Sequence, residues 1–141
     1  MTKYLGIDYG LKRCGLAVSD DTGSVAFPRD TITTDSALVP RIVDIVRDEH
    51  IDVIVIGESK DKDGKDNPVM GGARALAHEL ENELAVLVRF EPEYYSSVEA
   101  RKSGIGSFVD AQAAAIILNR YLERQHGGSK RDAASVPDEL Q

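Results

Sequence analysis

Residues 51–57, IDVIVIG, form a near-continuous β-branched run. A strand with one solvated face alternates apolar and polar residues. A run that is apolar throughout belongs in the middle of a parallel sheet covered on both sides. Parallel neighbours need crossover connections, usually helices, and helical periods lie on both sides of this run. Within residues 35–49, Val39, Ile42, Val43 and Val46 recur at i, i+3, i+4 and i+7, with Pro40 suited to the first turn. Downstream, Val69, Ala73, Leu76, Ala77, Leu80 and Leu84 draw a second stripe, followed by another strand, AVLVRF (85–90).

The N-terminal third reads differently. KYLGID (3–8) and KRCGLAV (12–18) are strands separated by a short turn at Tyr9-Gly10-Leu11, which requires antiparallel pairing. SVAFPRDTI (24–32) is a third extended segment whose Pro28 marks an edge strand or a bulge. A short helix is expected over 95–103 and a longer one over 108–124. The chain is therefore expected to be an α/β protein with one mixed five-stranded sheet: three antiparallel strands, then parallel ones, with helices packed on it. Residues 1–125 read as one domain. Residues 126–141, HGGSKRDAASVPDELQ, have no apolar period and are expected to form a disordered tail.

At 141 residues the chain can bury about two-thirds of its unfolded surface. It carries no apolar run long enough to span a membrane and no signal-peptide pattern. Cys14 is the only cysteine, so no internal disulfide forms and a reducing cytoplasm fits; a core position suits it better than nucleophilic chemistry. A net charge of −7 argues against tight, metal-free nucleic-acid binding, which usually shows a basic excess. Local clusters and bound cations can still set the field at a site.

The carboxylates give the functional signal. Alternation in the first strand places Leu5 and Ile7 on one face and Tyr4, Gly6 and Asp8 on the other. Asp8 reads either as a cap for the following turn or as a buried working group that needs a cation or donors. In the last helix, Asp110, Ala113, Ala114, Ile117, Leu118 and Tyr121 share one stripe, so Asp110 points at the sheet. A first-turn carboxylate also has a capping explanation. Two inward acids at opposite ends of the chain nevertheless suggest a shared cation. Glu58 follows the central strand, and Glu91 and Glu93 follow the next one, flanking Pro92. An all-oxygen set suits Mg²⁺ or Mn²⁺ and not zinc, and His50, His78 and His126 show no ligand spacing. Such a site can activate water at a phosphodiester. Lys12 and Arg13 can pair the phosphate, or salt-bridge a nearby acid.

GIDYGLKRCGLAVSD (6–20) resembles the opening motif of the YqgF family, RuvX-like relatives of Holliday-junction resolvases implicated in pre-16S ribosomal RNA maturation. IDVIVIG with the KDGKDNP loop is similar to the family's central strand and loop. SSVEA (96–100) and VDAQAAAIILNRYL (109–122) look like its C-terminal motifs. The resemblance covers residues 3 to about 124. It implies an RNase H-like fold and a three-acid nuclease site binding Mg²⁺ or Mn²⁺, with Asp8 and Asp110 matching the first and last acids. Glu93 matches the middle one, with Glu58 as an additional candidate. The family's Asp-Glu-Arg triplet is replaced here by Pro92-Glu93-Tyr94, its Gly-Leu-Pro by Gly57-Glu58-Ser59, and the segment 101–108 is short.

The expected function is therefore a cytoplasmic, metal-dependent nuclease acting on structured RNA, with ribosomal RNA precursor as the setting and ribosome-assembly factors as further partners. The protein would be a monomer or weak homodimer. Branched DNA is the alternative substrate. An actin-like ATPase or sugar kinase would need a second GIDYG-like motif and a second lobe. A module that binds RNA without cutting it is the non-enzymatic alternative.

Overall fold

A computed structural model describes residues 1–59, 63, 65, 68–93 and 106–135, of which 93, 106–109 and 127–135 are described by backbone alone. The elements are β1 (Tyr4–Asp8), β2 (Arg13–Ser19), β3 (Ala26–Thr33), α1 (Leu38–Asp48), β4 (Val53–Ser59), α2 (Met70–Glu83), β5 (Leu87–Glu93) and α3 (Gly106–Ser135). They build a five-stranded sheet in the order β3-β2-β1-β4-β5. β1 pairs antiparallel with β2, and β2 with β3, while β1–β4 and β4–β5 are parallel. This is the mixed sheet expected from the hairpin and the β-branched run.

Each strand's alternation serves two cores. Leu5, Ile7, Leu16, Ile54, Ile56 and Val88 pack under α1 and α2, which contribute Ile42, Val46, Leu76 and Leu80 among others. On the opposite face Ala17, Val53 and Val55 lie under α3, which contributes Ala114, Ile117, Leu118 and Leu122. The sheet residues under α3 are small, so that helix comes close. A Cβ at Gly6 would lie 2.8 Å from Leu118 Cβ and 3.1 Å from the Ala114 carbonyl oxygen.

Both signs of irregularity read from Pro28 occur: β3 is an edge strand, and the β2–β3 register shifts between Leu16 and Ala17, leaving Arg29 as the extra residue. α3 also fastens this edge. The Ala26 N–H donates to Asn119 Oδ1 at 2.8 Å, and Asn119 Nδ2 donates to the Ala26 carbonyl at 3.2 Å. Farther along, His126 Nε2 donates to the carbonyl of Gly23 at 2.9 Å.

α1 ends at a left-handed residue, His50 (φ 56°), where glycine is the usual choice. The Ile51 N–H closes that end by donating to the Val46 carbonyl at 3.0 Å. Strand ends differ from the sequence reading. β4 runs on through Glu58 to Ser59, and β5 through Pro92 to Glu93, because their pairing continues register by register to Ser59 opposite Glu93. β5 lies at the sheet edge, where proline's missing N–H removes no ladder bond on its outer side. The backbone of α3 extends past 124 to Ser135. The short helix expected over 95–103 and the SSVEA motif lie outside the described residues.

Candidate active site

Asp8 ends β1 on the face turned to α3. It is 5% exposed, in a strand whose Leu5 and Ile7 are committed to the other core. Across the antiparallel ladder its partner is Gly15 on β2. The second turn of α3, four residues into the helix and beyond its N-terminal cap, sits on that glycine: a Cβ there would lie 1.9 Å from the Asp110 carbonyl oxygen and 2.9 Å from the Ala111 nitrogen. Asp110 is thus seated by backbone contact directly over the neighbour of Asp8. The missing side chain of Gly15 thus lets the backbones of both inward acids border one residue.

The surroundings of this pair are polar and charged. Arg13 Nε donates to Asp110 Oδ2. On the opposite face of β2, burial pushes the Cys14 thiol up. Its hydrogen bonds with Thr34 and Gly10 act the other way, and the negative charges of Asp8 and Asp110 push the thiol up further. Thr34 Oγ1 donates to the Gly10 carbonyl at 2.8 Å and lies 3.3 Å from Cys14 Sγ, which ties the β1–β2 turn to the end of β3.

The other predicted residues fall as follows. Lys12 is exposed in the bend before β2, and its carbonyl accepts from the Thr34 N–H at 2.9 Å. Arg13 reaches the site and pairs an acid there, the second of its two sequence readings. Glu58 lies on the wrong face to join Asp8. In β4, Val53 and Val55 turn to α3 while Ile54 and Ile56 turn to α1 and α2. Glu58 follows the second set, accepting from Arg74 Nη2 of α2 at 3.0 Å. Arg74 in turn stands 5.0 Å over the Phe90 ring. Glu93 closes β5 opposite Ser59, and its side chain lies outside the described residues. Among the described residues no group of three or more His, Cys, Asp or Glu is arranged to hold a metal. His50, His78 and His126 stand apart from the site. Asp8 and Asp110 offer carboxylate oxygens, the donor type a hard divalent ion takes, and Arg13 is drawn to Asp110.

Glu91 is more deeply engaged than the sequence indicates. It is 3% exposed, and its carboxylate accepts from Arg124 Nη2 of α3. Burial pushes this carboxyl up, against the pull of Arg124 and then Arg120. In register it pairs with Gly57, the residue after Ile56, which pairs with Ile7. No local pattern pairs Glu91 with Arg120 and Arg124, which stand at i and i+4 on the helix that carries Asp110.

The family model described as RuvX, Holliday junction resolvase, matches residues 2–124. The chain belongs to the RuvX family. This RuvX protein is 37% identical over 131 residues to the "Putative pre-16S rRNA nuclease" of Nitratidesulfovibrio vulgaris (strain DSM 19637 / Miyazaki F), covering 85% of this chain and 92% of that one. It is 33% identical over 133 residues to the protein of the same name from Lawsonia intracellularis, covering 86% and 94%. Among solved structures it resembles T. thermophilus RuvC in complex with Holliday junction substrate, with a TM-score of 0.61 at 16% identity, covering 90% of this chain and 97% of that one. The fowlpox virus Holliday junction resolvase follows with a TM-score of 0.52 at 13% identity, covering 86% and 99%. The RNase H-like fold implied by the motifs is therefore the fold of this RuvX chain. No helix among the described residues is long and apolar enough to cross a membrane.

Proposed function

We propose that this RuvX protein is a divalent-metal-dependent nuclease that cleaves precursor 16S ribosomal RNA in the cytoplasm, with residues 1–125 as the catalytic unit. The observation that carries the reading is the seating of Asp110 over Gly15, beside Asp8. Asp8 and Asp110 would hold Mg²⁺ or Mn²⁺, and Glu93, at the end of β5, would supply a third carboxylate. When bound, such an ion activates a water towards phosphorus and stabilises the leaving oxygen. The chain's own part is to fix two carboxylates on rigid elements and to bring a guanidinium within their reach. Glu58, paired with Arg74 on the other face, has no part in this reading.

Cleavage of a structured precursor RNA and of a four-way DNA junction, each with Mn²⁺ and with chelator, tests the proposal. Metal-dependent RNA cleavage that disappears in both Asp8→Asn and Asp110→Asn is expected. Glu93→Gln should abolish it, and Glu58→Gln should leave it intact. Binding of RNA without cleavage, unchanged by the aspartate substitutions, would refute the enzymatic reading. The family's description as a Holliday junction resolvase favours a second reading, branched DNA as substrate. Junction cleavage faster than RNA cleavage would select it.

A further inference from the structure

Arg13 lies in the same motif as Asp8, and its guanidinium is engaged by Asp110. Three observations make this pair more than an incidental surface contact. The backbone of Asp110 is held against Gly15, two residues along β2 from Arg13, so the carboxylate is presented from a fixed position. Asp8 is the cross-strand partner of the same Gly15, so the backbones of both acids border one glycine. Finally, the pair is lopsided in exposure, with the Arg13 side chain 49% exposed and that of Asp110 17%. The acid is anchored and partly buried, while the cation approaches from solvent. Two adjacent carboxylates repel unless a cation lies between or beside them.

We infer that Arg13 is a placeholder cation that exchanges partners: its guanidinium neutralises Asp110 while no ion is bound, and a divalent ion that takes Asp110 releases Arg13 to the substrate phosphate. The inference rests on the reading of Asp110 as a metal ligand given above. A planar guanidinium suits both partners, because carboxylate and phosphate each accept its paired N–H groups. The exchange makes ion binding and phosphate binding mutually reinforcing. A phosphate that holds Arg13 away from Asp110 favours the ion by the same factor that the ion favours the phosphate. Arg13 is in this sense a positioning residue until the ion arrives.

The test begins with calorimetric titration of Mn²⁺ into the full chain without nucleic acid. Arg13→Gln should bind Mn²⁺ about two- to fivefold more tightly than the unaltered chain, the range expected when an ion need not displace a partly exposed ion pair. Arg13→Lys keeps the charge and should stay near the unaltered value, which separates displacement from general disturbance of the fold. Asp110→Asn should lose most of the affinity. A second measurement follows a fluorescent single-stranded RNA by anisotropy, in Ca²⁺ and in chelator. The gain in RNA affinity on adding Ca²⁺ should shrink in Arg13→Gln. Unchanged or weaker Mn²⁺ binding in Arg13→Gln, with binding lost in Asp110→Asn, overturns the exchange while leaving the metal reading intact. Equal tightening in Arg13→Lys overturns it too. Mn²⁺ binding unaltered in Asp110→Asn overturns the metal reading and the exchange with it.

Discussion

Replacing Gly15 by alanine adds one methyl group at the point where α3 rests on the sheet. The new Cβ would lie 1.9 Å from the Asp110 carbonyl oxygen and 2.3 Å from its carbonyl carbon. Both are backbone atoms inside a helix, so no rotamer change relieves the overlap. To reach even a tight contact the second turn of α3 must lift by about 1 Å or more, and overpacking of this kind costs about 1–3 kcal/mol. For a domain of this size that corresponds to a fall in Tm of roughly 3–12 °C, at about 3–4 °C per kcal/mol. Activity should fall further than stability does. The lift carries Asp110 away from Asp8, and a misplacement of about 1 Å can cost on the order of a hundredfold in rate. Thermal unfolding followed by circular dichroism gives the first quantity. Nuclease turnover measured well below the variant's own Tm gives the second. A Gly15→Ala protein with unchanged Tm and full turnover would refute the claim that α3 is seated by backbone contact on β2.

His50→Gly should raise stability by about 0.5–1 kcal/mol in urea titrations, because glycine adopts the left-handed conformation of that residue without a Cβ penalty. Asn119→Ala should lower it by about 1–3 kcal/mol, since both backbone groups of Ala26 lose their partner at once; equal urea midpoints would show the clamp to be dispensable. Burial pushes the Glu91 carboxyl up from its ordinary value in the fold, so the folded state holds that proton more firmly than the unfolded chain does. Its contribution is therefore most favourable below the unfolded pKa and declines as pH rises through the folded one. Glu91→Gln should flatten that decline in a stability–pH profile, and a slope identical to that of the unaltered chain would count against it.

Much of the architecture was legible because periodicity reports burial. The turn at Tyr9-Gly10-Leu11 demanded a hairpin, IDVIVIG demanded two covered faces, and the stripe through Asp110, Ala114 and Leu118 aimed an acid at the sheet. What the sequence concealed follows from the same physics. A strand buried on both faces carries no polar–apolar alternation, so nothing in residues 51–57 announces which side Glu58 will take; parity from Ile54 and Ile56 became informative only once their core was seen. The apolar pattern of AVLVRF stops at Phe90, so it does not show that β5 pairs on through Pro92 to Glu93, where an outer edge tolerates proline. The burial of Glu91 depended on Arg124, whose partner no local pattern names. Gly15 was the least visible residue of importance. Nothing in KRCGLAV distinguishes a glycine on which a helix rests from one that merely bends a strand.

The contact between Arg13 and Asp110 joins residues 97 positions apart. Loops of that length close slowly, and contacts of high sequence separation form late in folding. A chain emerging during synthesis exposes Asp8 well before it has an α3 to lay over Gly15. The pair of acids thus comes into being only in the finished fold. For a protein proposed to cut ribosomal RNA, the helix seat would act as a timer: a nascent chain that still lacks α3 would carry Asp8 but not Asp110.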